Sequence, residues 1–139
     1  MIPIRVQGVI LHPKLYAVLS FFEEYGIGFK VNSGPRSIAK HIKIYKELYG
    51  DDWVKKIPWL SKHLPTHHSP FLRAVDIRII IDEGLRGITF TSILKDFRIF
   101  IESLDIPVGL GVGKGWVHID VRERRQGTKT CITEWPYNY

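Results

Sequence analysis

Two stretches of the chain alternate apolar and polar residues, the period of a strand with one buried face. In the first, residues 73–79, Val75, Ile77 and Ile79 fall on one side and Ala74, Asp76 and Arg78 on the other. In the second, residues 115–122, Val117, Ile119 and Val121 oppose His118, Asp120 and Arg122. If these strands are neighbours, their polar faces form one wall of Asp, His, Asp and Arg. Such a wall is either the solvated side of an antiparallel sheet or a site.

The rest of the chain mixes short strands with helical spacing. Residues 2–11 read as a strand interrupted by Gly8. His12-Pro13 opens a helix, because proline in the first turn lacks only an N–H that would have no partner there. Leu15, Val18, Leu19 and Phe22 keep the helical spacing until Gly26 stops it. Residues 27–31 form a short strand and 32–35 a turn. A second helix spans Ser37 to Leu48, with Ile38, Ile42, Tyr45 and Leu48 on its core face, and Gly50-Asp51-Asp52 ends it.

Residues 50–72 carry Trp53, Ile57, Trp59 and Leu60, then His63, His67 and His68. A connection this long in a compact domain is usually functional or disordered, and the tryptophans argue against disorder. An ordered excursion over the sheet, with one short helix, is expected. Asp82-Glu83-Gly84 is a turn, and Thr91 to Leu104 a third helix with Ile93, Leu94, Phe97, Phe100 and Leu104 inward. The expectation is a single α+β domain over residues 1–139, with a small, mainly antiparallel sheet, about three helices and the two alternating strands adjacent.

The length of 139 residues suits one domain with a real core. No stretch approaches the ~20 apolar residues of a membrane span, and no leader pattern opens the chain. The single Cys131 cannot form an internal disulfide. These features predict no secretion signal, no membrane insertion and a cytoplasmic or viral product; a monomer is expected. The net charge of +6 favours an anionic partner: nucleic acid, an acidic envelope polymer or a membrane surface. The basic residues are scattered, with no aromatic–basic stacking pattern and no basic recognition helix. A nucleic-acid-binding protein or metal-dependent nuclease is therefore an alternative, and no nucleic-acid partner is predicted.

The run from Gly109 to Gly115 fails as a phosphate-binding loop. Val108 stands where the first glycine belongs, Gly115 replaces the hydroxyl, and a strand follows instead of a helix. It reads as a flexible approach to a strand, with positive-φ positions. A catalytic zinc site takes three protein ligands and keeps one position open. His118, Asp76 and one of His63, His67 or His68 supply that set. His12 and His41 lie away from the wall and read as structural.

Four motifs stand in series: Ser33-Gly34-Pro35-Arg36-Ser37, Ser61-Lys62-His63-Leu64, Arg73-Ala74-Val75-Asp76-Ile77, and Trp116 through Arg122. This series resembles the zinc D-alanyl-D-alanine carboxypeptidase and peptidoglycan endopeptidase family. That family includes phage endolysins and shares its fold with the hedgehog signalling domain. The closing Trp135 is similar to that of many viral members. The resemblance implies a hedgehog/DD-peptidase-like fold, a Zn2+ cofactor held by His63, Asp76 and His118, and peptidoglycan peptides as substrate. It implies that Arg36 contacts the substrate carbonyl or carboxylate, with Ser61 and Trp116 also in the substrate site.

Two departures from the family pattern stand out. The first His usually lies seven residues before the Asp; Ser69 is there, and His63 lies thirteen before Asp76. Either an insertion separates ligand from strand, or His68 is the first ligand with a one-residue shift. Gly115 and Trp116 occupy the usual acid/base positions and cannot transfer protons. Asp120 is then the nearest catalytic carboxylate, or else it orients a ligand or Arg36.

Overall fold

The computed structural model describes residues 2–33, 38–56, 71–81, 89–123 and 130–136. Arg36, Ser61, His63, His67 and His68 lie outside the described residues, as does the turn expected at 82–84.

The N-terminal strand is a small hairpin, β1 (Arg5–Val6) and β2 (Val9–Ile10). Gln7 and Gly8 both take positive φ, the pair of left-handed residues that a tight two-residue hairpin turn requires. Helix α1 (Pro13–Tyr25) follows, with proline in its first turn and Gly26 left-handed at its end, as the sequence predicts. Next come β3 (Gly28–Ser33), α2 (Ile38–Tyr49), a 3₁₀ turn (Gly50–Asp52) and the short α3 (Trp53–Lys56). Strand β4 (Ala74–Ile80) precedes α4 (Phe90–Leu104), whose N-terminus is held by a reciprocal Thr89–Ser92 capping box. Strands β5 (Val108–Val112), β6 (Trp116–Val121) and β7 (Ile132–Pro136) complete the chain.

Five strands form a mixed sheet in the order β3-β4-β6-β5-β7. All its pairings are antiparallel except β5 with β7. The α+β class and the adjacency of the two alternating strands are as expected. One face of the sheet packs on α1 and α4. Val75, Ile77, Val117, Ile119 and Leu110 share a core with Leu15, Leu19, Phe22, Ile93 and Phe97. The Phe22 and Phe97 rings lie 5.0 Å apart, joining the two helices over the sheet.

Two expectations need correction. Leu48 is exposed, and among the α2 residues whose burial is described the fully buried one is His41, whose ring lies 5.0 Å from that of Tyr45. His41 and Tyr45 are one turn apart and share a face, so the buried side of the helix shifts from Leu48 toward His41. The glycine run is not a flexible approach either. Gly109 and Gly111 are strand residues of β5, and within the run only Gly115 has positive φ.

Candidate functional site

The register of β4 against β6 decides the site. Ala74 pairs with Asp120, Asp76 with His118, and Arg78 with Trp116. Because side chains alternate across a strand, Asp76, His118 and Asp120 emerge on the same face, opposite the apolar core. That face is not solvated. Asp76 is 1% exposed, Asp120 2% and His118 7%.

His118 is clasped from both sides. Its Nδ1 lies 2.9 Å from Asp76 Oδ1, and its Nε2 lies 2.8 Å from Asp120 Oδ2. Asp120 in turn accepts two hydrogen bonds from Arg122, from Nε to Oδ1 and from Nη2 to Oδ2, each 2.7 Å. This is the bidentate fork that fixes a carboxylate in one plane. Burial pushes the His118 imidazole down, but the hydrogen bonds and charges of Asp120 and Asp76 outweigh it and raise the group to about 9. Burial likewise works against charge on Asp120. Hydrogen bonds from His118 and Arg122, with their charges, overcome it and hold the carboxyl well below the usual carboxylate range. The ring thus donates to a carboxylate from each nitrogen, the pattern of an imidazolium.

The neighbouring strand is shaped around this cluster. Gly109 is the register partner of Asp120, and Gly111 of His118. A Cβ at Gly109 would run into the Arg122 guanidinium and Asp120 Oδ2. One at Gly111 would lie 3.2 Å from His118 Cβ and 3.0 Å from Trp135 Nε1. Trp135 comes from β7, where it is the register partner of Gly111. Its ring lies 5.5 Å from that of His118, and the Arg122 guanidinium sits 5.3 Å from its centre.

The structure therefore joins five of the residues singled out in the sequence: Asp76, His118, Asp120, Arg122 and Trp135. Trp116 is half-buried two residues from His118 along β6, with the Arg78 guanidinium 5.7 Å from its ring centre. Sequence reasoning missed Gly109 and Gly111 as parts of the site. The signal was present: Gly-Leu-Gly-Val alternates with the same period as His-Ile-Asp-Val, so small residues fall opposite large polar ones.

The donors fit a zinc ion in part. Two atoms bound to one tetrahedral zinc at 2.0–2.1 Å lie roughly 3.3 Å apart, so Asp76 Oδ1 and His118 Nδ1 would need to separate only slightly. A carboxylate on the other nitrogen is the usual partner of a metal-bound histidine, and Asp120 occupies that place. Among the described residues, no group of three or more His, Cys, Asp or Glu is arranged to hold a metal ion. Asp76 and His118 are thus two members of a possible set of three. Comparison with protein-family models, curated proteins and solved structures gives no match to this chain.

Proposed function

We propose that this chain is a zinc-dependent peptidase with a hedgehog/DD-peptidase-like fold, hydrolysing peptide bonds in peptidoglycan stem peptides or cross-links. The observation that carries this reading is the buried Asp76–His118 pair with Asp120 behind it. Buried ion clusters contribute little net stability, because desolvation offsets their attraction, and apolar residues often fill the same space as well or better. A cluster of this composition at the centre of a sheet is better explained by chemistry than by folding.

In this reading Asp76 and His118 hold the ion, and His63 or His68 supplies the third ligand. Zinc, when bound, polarises a carbonyl and acidifies water. Arg36 contacts the substrate carbonyl or carboxylate and offsets the negative charge that develops there. Ser61 and Trp116 belong to the substrate site. Asp120 orients His118 rather than moving a proton itself, because both its oxygens are engaged by His118 and Arg122. The net charge of +6 complements an anionic cell wall.

One observation favours a second reading, a binding module on a peptidase fold. Gly115 and Trp116 fill the usual acid/base positions, and Asp120 is committed to His118 and Arg122. Metal analysis combined with digestion of purified cell walls separates the two readings. Zinc with cleavage supports the peptidase, and zinc without cleavage supports the module.

A further inference from the structure

We propose that Arg122, Trp135 and the glycines of β5 form a positioning layer that fixes the His118 ring so that Nδ1 alone faces the ion. The proposal rests on the zinc reading above and extends it to residues that would not touch the metal. Three observations support it.

The first is the direction of the hydrogen-bond chain. Arg122 grips both oxygens of Asp120, which leaves Asp120 Oδ2 aimed at His118 Nε2. With Nε2–H held this way, the proton that His118 gives up when zinc binds is the one on Nδ1, which then becomes its donor to the metal. Nδ1 is the nitrogen that faces Asp76.

The second is Trp135, which touches both ends of that chain. Its indole neighbours the His118 ring and lies under the Arg122 guanidinium. A cation held over an aromatic face loses freedom to swing away, so the indole restrains the fork as well as the ring. Strand β7 is itself pinned, by parallel pairing to β5 and by the Arg98–Glu134 fork at 2.7 and 3.1 Å.

The third is the space that β5 leaves. Gly111 lies in register with His118 on one side and Trp135 on the other, and Gly109 with Asp120. Any larger residue at either position would press on the ring or the fork. Two glycines in a central strand weaken it, so their placement calls for a reason, and close approach of side chains across them supplies one.

The test uses the full chain and zinc alone. Zinc affinity is measured by competition with a chromogenic chelator, the His118 tautomer by ring-nitrogen NMR of the loaded protein, and folding by melting of the metal-free protein. Arg122→Gln and Trp135→Ala should each weaken zinc binding by about 10–100-fold. The single His118 tautomer should become a mixture, with metal-free melting little changed. Trp135→Phe, which keeps an aromatic face, should recover most of the affinity. If Trp135→Ala does not fold, Arg122→Gln still decides, because that side chain is about a third exposed. Wild-type affinity and an unchanged single tautomer in Arg122→Gln and Trp135→Ala would overturn the positioning layer while leaving the zinc reading intact. Failure of the wild type to bind zinc would overturn both.

Discussion

Asp76 and His118 face each other across one rung of the β4–β6 ladder, with Oδ1 and Nδ1 2.9 Å apart. A slip of one residue in either strand would send one of them into the apolar core, so the hydrophobic alternation that builds the core also assembles the pair. The purified protein should carry about one zinc, bound at distances near 2.0–2.2 Å. Asp76→Ala and His118→Ala should each abolish binding in metal analysis, and full retention in either excludes that residue as a ligand. Between the histidines outside the described residues, His63→Ala should lose zinc and His68→Ala keep it. The reverse result selects the shifted register.

Asp120 separates orientation from proton transfer. Asp120→Asn should weaken zinc affinity by about 10–100-fold, with activity restored by excess zinc. If Asp120 were instead the general base, turnover would fall by roughly 10²–10⁴-fold with zinc still bound, and added metal would not help. Titrating activity against zinc in both proteins distinguishes the two results.

Gly109 should be intolerant of even one carbon. Gly109→Ala drives a methyl group into the Arg122–Asp120 fork, where both partners are held by short hydrogen bonds. Overpacking of this kind costs about 1–3 kcal/mol. Urea denaturation of the metal-free protein should show the lowered midpoint. An unchanged midpoint would mean that the fork has room to yield.

His12 gives a pH dependence remote from the site. It caps α1 by accepting the Lys14 N–H, at 3.1 Å, on Nδ1, which requires a neutral ring. Burial lowers its pKa, helped by the charges of Arg73 and Lys14. A histidine whose folded pKa lies below its unfolded value of 6.5 contributes stability above pH 6.5 and loses it as pH falls through the folded value. His12→Asn keeps a capping acceptor without the titration. Wild type should therefore lose stability relative to His12→Asn on going from about pH 7 to about pH 5. A constant difference over that range would contradict the neutral cap.

The sheet was legible because period two is a strong signal. The alternation in residues 73–79 and 115–122 placed Asp76, His118 and Asp120 on common faces before any register was known. Burial of that face was not legible, since alternation alone is equally compatible with solvent. The β5 glycines were legible only as an alternation of small residues: which side chains lie across from them is set by the β5–β6 register, which the sequence does not supply. Leu48 was misjudged because an apolar count favours it, whereas His41, expected to be structural, takes the buried position with its ring packed on Tyr45. Trp135 could be noticed by resemblance, but its place beside His118 depends on the parallel pairing of β7, which no local pattern in Ile132–Pro136 reveals.

The most direct test of the account is hydrolysis of a peptidoglycan stem peptide by the zinc-loaded chain, followed by chromatography and mass analysis. The account predicts a cleaved peptide bond, loss of cleavage on chelation, recovery on adding zinc, and no cleavage by His118→Ala under any zinc concentration. Intact stem peptides and intact purified cell walls, with zinc demonstrably bound at Asp76 and His118, would contradict it and leave a metal-binding module in place of a peptidase.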